Sequence, residues 1–116
     1  MDGRIAKRVP PIIVLTGPTA TGKTAIAHRL ALDLDGELVN ADSVQIYRHL
    51  NVGTGKPSPD LQRERSYHLL DILDPDEPFD AQQYRRLAGE AIRSVLDRSR
   101  AAIVVGGTGF YIRSLI

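Results

Sequence analysis

Residues 17–24, Gly17-Pro18-Thr19-Ala20-Thr21-Gly22-Lys23-Thr24, fit the pattern G-x-x-x-x-G-K-[ST] in full. Each residue type has a physical task in such a pattern. Glycines let the backbone turn tightly, so that successive N–H groups point inward at an anion. A helix starting at the end of the loop adds free N–H groups and the positive end of its dipole. Lysine supplies a point charge for terminal phosphates, and the final hydroxyl can hold Mg²⁺. The segment therefore reads as a phosphate-binding P-loop. Gly17, Pro18, Thr19, Ala20, Thr21, Gly22, Lys23 and Thr24 are the candidate nucleotide or diphosphate ligands, and Thr24 is the candidate metal ligand. A chance glycine-rich turn is the alternative, and the apolar run before the loop and the helical pattern after it argue against that.

A P-loop specifies a ligand group and not a reaction. A typical nucleotide hydrolase adds an apolar strand ending in Asp for Mg²⁺. Here the apolar run 101–105 ends in Gly106-Gly107 instead. Asp42 is the one acid placed at a strand end beside the loop. It could cap a short following helix, hold Mg²⁺ as in a kinase, or act on a substrate proton.

The elements that must position these groups alternate. Ile12-Ile13-Val14-Leu15 reads as a buried parallel strand. Ile26, Ala27, Leu30, Ala31 and Leu34 fall at helical spacing, so a helix starts near Gly22 or Lys23, and Gly36 stops it. Residues 37–41 read as a strand that delivers Asp42 and Ser43, and 44–50 as a short helix. Gly53-Thr54-Gly55-Lys56-Pro57 is a loop by composition. Ser58-Pro59 opens a short polar helix, residues 67–73 suit a strand, and 74–78 a turn. Asp80 and Gln83 form a capping box, with Phe79 and Tyr84 as its hydrophobic staple. Tyr84, Leu87, Ala88, Ala91, Ile92, Val95 and Leu96 give that helix one apolar face. Residues 101–105 form a further buried strand, and 110–116 begin another helix. The alternation predicts a three-layer α/β fold, a P-loop NTPase-like parallel sheet with flanking helices.

Length and composition bound the rest. At 116 residues the chain suits one small domain spanning 1–116. Its 42% hydrophobic and 25% charged content is ordinary for a globular protein, which argues against disorder. A net charge of +1 does not by itself suggest nucleic acid. The lack of cysteine excludes disulfides and thiolate metal sites. His28, His49 and His68 show no metal-ligand spacing. His28 reads as an exposed helix residue, His49 as a loop residue and His68 as a satisfied strand residue. Arg85, Arg86, Arg93, Arg98 and Arg100 read as a solvated helix face. The apolar runs are far shorter than the ~20 residues of a membrane span. Residues 1–11 are basic and do not form a signal peptide, so a cytoplasmic, monomeric enzyme without membrane contact is expected.

Four further segments carry a resemblance. Asp42-Ser43-Val44-Gln45-Ile46-Tyr47 matches D-S-x-Q-x-Y, and Gly53-Thr54-Gly55-Lys56-Pro57 is similar to G-T-[AG]-K-P. His68-Leu69-Leu70-Asp71 resembles H-L-[IL]-D, with Tyr67 where a second histidine is common. Val105-Gly106-Gly107-Thr108-Gly109-Phe110-Tyr111 matches V-G-G-T-G-x-Y. In this order, with the P-loop, they resemble the N-terminal part of the tRNA dimethylallyltransferase (tRNA isopentenyltransferase) family. Family members are longer, so the resemblance implies a truncated domain lacking the family's helical insertion and C-terminal region.

It also implies transfer of a dimethylallyl group from dimethylallyl diphosphate to N6 of an adenosine in the tRNA anticodon loop, with Mg²⁺. The resemblance makes Asp42, Lys23 and Thr24 catalytic. It makes Asp42, Ser43, Val44, Gln45 and Thr108 contacts to tRNA. Two other readings stay open: a small-molecule P-loop kinase, and a fragment that binds nucleotide or diphosphate without catalysis.

Overall fold

The computed structural model describes residues 10–17, 22–49 and 55–115. Four strands, β1 (Ile12–Thr16), β2 (Glu37–Asn40), β3 (Tyr67–His68) and β4 (Ala102–Gly106), form one parallel sheet in the order β1-β4-β2-β3. The helices are α1 (Lys23–Leu34), α2 (Pro59–Glu64), α3 (Ala81–Asp97) and α4 (Gly109–Leu115). In register, Leu38 lies opposite Ile103, and Val39 opposite Val104. Side chains alternate across a strand, so each pair faces a different layer. Leu38 and Ile103 pack with Ala27 and Ala31 of α1. Val39 and Val104 pack with Tyr84 and Ala88 of α3 and with Tyr111 and Ile112 of α4. The expected three layers are present.

Local chemistry explains the helix ends. The Ser58 hydroxyl accepts from Leu61 N at 3.2 Å with Pro59 at the first helical position. Asp80 Oδ1 accepts from Gln83 N at 2.8 Å, and Gln83 Oε1 accepts from Asp80 N at 3.0 Å, which completes the capping box. Phe79 meets Tyr111 edge-on at 6.2 Å, and Tyr84 stacks on Tyr111 at 4.3 Å. The Tyr84 hydroxyl donates to the Asn40 carbonyl at 2.8 Å, tying α3 to the end of β2. Burial pushes the Tyr84 pKa up.

Five expectations are corrected. The first strand is not buried on both faces. Among the described residues β1 pairs only with β4, and Ile12 and Val14 are 53% and 40% exposed. Helix α1 ends through Asp35, whose φ of 50° is left-handed, and not through a left-handed glycine. Gly36 is needed for another reason, since a Cβ there would lie 2.8 Å from the Ala101 carbonyl oxygen.

No helix forms over 44–49; residues 43–46 are turns, and Tyr47 bridges to Leu73. The strand expected over 67–73 stops at His68, because Leu69 and Asp71 have φ of 67° and 54°. Finally, Arg98 and Arg100 are not a solvated helix face. Arg98 grips the buried Glu37 with two guanidinium nitrogens, and Arg100 reaches Asp35 at 3.2 Å. His68 joins Glu37 at 2.7 Å, a satisfied strand histidine as expected.

Candidate functional site

Those of the predicted site residues that are described converge at the C-terminal ends of the strands, where open α/β sheets receive ligands. Thr16 of β1 leads to Gly17, and α1 begins at Lys23 behind Gly22, whose φ of 79° is left-handed. Gly22 offers no capping side chain, so the first amides of a 12-residue helix lack an intrahelical partner and suit an anion. Lys23 Nζ donates to the Gly17 carbonyl, which folds the lysine back across the loop mouth. Thr24 Oγ1 lies 3.4 Å from the Gly55 carbonyl. Pro18, Thr19, Ala20 and Thr21 lie outside the described residues, as do Gly53 and Thr54.

Asp42 follows the end of β2 and is 8% exposed. Its Oδ1 accepts from Val44 N at 2.8 Å and Gln45 N at 3.0 Å, so the carboxylate organises the turn that replaces the expected helix. Oδ2 takes no part in those two bonds. The expected helix cap is thus a cap of this turn, since no helix follows it. The Asp42 backbone is held in turn by Asn40. Its Oδ1 accepts from Asp42 N at 3.2 Å, and its Nδ2 donates to the carbonyls of Asp42 and Leu69 at 3.1 and 3.0 Å.

Thr108 closes the other side. Its Oγ1 accepts from Ser43 N at 2.8 Å, and its own N–H donates to the Ala41 carbonyl at 3.1 Å. Gly106 makes this junction possible, since a Cβ there would lie 2.3 Å from Ala41 backbone atoms. Gln45 is buried, whereas Val44 is 45% exposed. The Tyr47 hydroxyl donates to the Glu77 carbonyl at 3.1 Å, a packing role.

Lys23, Thr24, Asn40, Asp42 and Gln45 line one cavity of about 370 Å³, and Lys56, Leu61, Tyr67 and Leu70 are also part of its wall. Sequence reasoning missed the last four and Asn40. The Lys56 side chain is 6% exposed and donates to Asp71 Oδ1 and, at 2.7 Å, to the Tyr47 carbonyl. Two segments noticed only as pattern matches are thereby joined by an ion pair. An asparagine ending an apolar strand was a readable signal; the lysine's partner was not.

His28 is also corrected: it is buried, not exposed. Its Nε2 faces Glu64 Oε1 and its Nδ1 faces the Tyr67 hydroxyl, both at 2.6 Å. A carboxylate only accepts, so in the neutral imidazole Nε2–H donates to Glu64 and Tyr67 O–H donates to Nδ1. Burial, with the nearby Glu64 charge, pushes the Tyr67 pKa up to about 12, which keeps that proton on the phenol. Among the described residues no cluster of His, Cys, Asp and Glu forms a metal cage, and no helix is long and apolar enough to cross a membrane.

Known proteins share this arrangement. The sequence model of the family described as IPP transferase matches residues 45–116. The chain is 51% identical over 107 residues to a tRNA dimethylallyltransferase of Desulforudis audaxviator, covering 92% of this chain and 34% of that protein. It is 49% identical over 116 residues to tRNA dimethylallyltransferase 2 of Syntrophus aciditrophicus, covering 100% of this chain and 37% of that one. A crystal structure of tRNA delta(2)-isopentenylpyrophosphate transferase from Staphylococcus epidermidis superposes with a TM-score of 0.87 at 36% identity, over 92% of this chain and 35% of that one. A eukaryotic dimethylallyltransferase acting on tRNA gives 0.86 at 29% identity, over 91% of this chain and 26% of that one. The chain spans about a third of the length of the curated relatives it matches. The family match, the shared fold and the motifs gathered around one cavity agree: the chain belongs to the IPP transferase family.

Proposed function

We propose that these residues form the donor-binding and proton-accepting part of a tRNA dimethylallyltransferase, folded as one P-loop domain. The observation that carries this reading is the single cavity in which the start of α1 and the Asp42 carboxylate both take part. The diphosphate of dimethylallyl diphosphate lies against the 17–24 loop, bound by the free amides and Lys23. Adenine N6 attacks the allylic carbon, the carbon–oxygen bond to diphosphate breaks, and the N6 proton passes to Asp42. Negative charge grows on the leaving diphosphate, so donors aimed there stabilise the transition state more than the ground state. An aromatic amine attacks poorly while it keeps its proton, which is the task of the carboxylate.

Ser43, Val44, Gln45 and Thr108 form or hold the turn that meets the tRNA. Thr108 acts there through Ser43 N, and the buried Gln45 amide is suited to a base edge. The adenine must leave its stack to enter. The cavity also fits Mg²⁺: Thr24 lines it, and this small, hard cation characteristically takes one or two protein oxygens, with phosphate and water for the rest. Thr24 would hold it, and its charge would offset that of the diphosphate. Action on tRNA goes with a cytoplasmic, monomeric protein.

A kinase reading would make ATP the ligand. Calorimetric titration of the chain with dimethylallyl diphosphate and with ATP, each with Mg²⁺, tests the choice. Tighter binding of dimethylallyl diphosphate is expected; preference for ATP would move Asp42 to an acceptor-orienting role and overturn the proposal.

A further inference from the structure

The cavity wall carries two chemically different kinds of side chain, polar ones that include Lys23, Thr24 and Asp42, and the largely apolar Leu61, Tyr67 and Leu70. Thr24 and His28 are four residues apart on α1, so their side chains stack on one helix face about one turn apart. His28 holds the Tyr67 hydroxyl at 2.6 Å and stacks on its ring, with centroids 5.8 Å apart and an interplanar angle of 12°. The Tyr67 ring is thereby fixed about one helical turn below the threonine of the phosphate loop. Leu61 precedes Glu64 by three residues on α2, hence on the same face, and Glu64 anchors His28 from the far side. The apolar part of the wall therefore includes a ring that a Glu64–His28 chain holds in one orientation.

We infer that Tyr67 sets the length of the hydrocarbon chain accepted on the diphosphate donor, with His28 and Glu64 as its positioning residues. This deepens the reading above and rests on it. A diphosphate seated at the start of α1 directs its chain toward the ring, and a short branched chain ends against it. A chain longer by one isoprene unit meets the ring face and has no room without displacing it. His28 takes no part in the cavity wall, so its effect on donor choice runs through Tyr67 alone.

The test is equilibrium binding of inorganic diphosphate, dimethylallyl diphosphate and geranyl diphosphate to the chain, with wild type, Tyr67→Ala, Tyr67→Phe and His28→Ala compared. Wild type is expected to prefer dimethylallyl over geranyl diphosphate by about tenfold or more, the range one or two extra apolar groups command in a closed pocket. Tyr67→Ala is expected to abolish or reverse that preference. Tyr67→Phe keeps the ring bulk but loses the hydroxyl that His28 holds, so Tyr67→Phe and His28→Ala are both expected to relax the ratio partly and less than Tyr67→Ala does.

Tyr67→Val supplies the same comparison in a β-branched strand residue should the alanine variant not fold. An unchanged ratio in the Tyr67 truncations, with wild type preferring dimethylallyl diphosphate, overturns the role of Tyr67 alone. Equal wild-type affinity for inorganic and dimethylallyl diphosphate overturns both this inference and the donor assignment beneath it.

Discussion

Gly106 ends β4, and a Cβ built on it would lie 2.3 Å from both the carbonyl carbon and the oxygen of Ala41. Ordinary Cβ contacts begin near 3.4 Å, so the two strand ends must separate by about 1 Å to admit alanine. What must yield is backbone, and it is backbone already committed. Ala41 N donates to the Val105 carbonyl at 2.8 Å, and its carbonyl accepts from Thr108 N at 3.1 Å. Overpacking of this kind costs about 1–3 kcal/mol, and the absence of a flexible side chain to absorb it places Gly106→Ala in the upper half. At roughly 4–8 °C per kcal/mol for a domain near this size, Tm falls by about 8–24 °C.

Gly89 is the control. It sits inside α3, and a methyl group added there would meet nothing within 4 Å. Gly89→Ala is therefore expected to stabilise by about 0.5–1 kcal/mol through helix propensity. Thermal denaturation followed by circular dichroism reads both variants. Equal Tm for Gly106→Ala and wild type would refute the close-approach argument, as would a loss of stability in Gly89→Ala.

Three further outcomes are expected. Lys23→Ala removes a charge-assisted contact worth about 1.5–3 kcal/mol, so phosphorus NMR titration should show dimethylallyl diphosphate binding weakened roughly ten- to a hundredfold. Asp80→Ala loses the capping box of α3 and should cost about 1 kcal/mol, measured by urea denaturation. Burial alone would raise the Glu37 carboxyl, but hydrogen bonds from Arg98 and His68 outweigh it and hold the pKa below the ordinary 4.5. A depressed folded-state value means that Glu37 stabilises the fold above its unfolded pKa and loses that contribution as pH falls through the folded one. Tm should therefore drop on acidification below about pH 4.5, and Glu37→Gln should flatten that part of the profile.

What the sequence made legible was local. The Ser58-Pro59 start of α2, the Asp80–Gln83 box and the start of α1 at Lys23 each depend on residues within a few positions of one another, and each appears where expected. What it did not carry was partner choice across the fold. Arg98 and Arg100 have the spacing of a solvated helix face, yet their partners Glu37 and Asp35 lie some sixty residues away in sequence. His28 occupies a helical position with no local hint that Tyr67 and Glu64 would enclose it. The stretch 44–49 has helical content, but the Asp42 carboxylate and the Leu73 bridge satisfy its backbone differently. Apolar, β-branched content marked β1 as a strand, but such a run does not reveal whether one neighbour or two will flank it. In the site, Asp42 stood out by position, whereas Asn40 and Lys56 act through bonds that only the assembled strand ends create.

The account turns on Asp42 as the proton acceptor. The direct measurement is single-turnover prenylation of an anticodon stem-loop by a chimaera in which these 116 residues replace the matching third of the Desulforudis audaxviator relative. Wild type is compared with Asp42→Asn, alongside a binding isotherm for dimethylallyl diphosphate. Asparagine keeps an oxygen for the amides of Val44 and Gln45 but cannot take a proton. The rate is expected to fall by about 10²–10⁴-fold with donor affinity nearly unchanged. A near wild-type rate would place the base elsewhere, and loss of Mg²⁺-dependent donor binding would make Asp42 a metal ligand; either result contradicts the account.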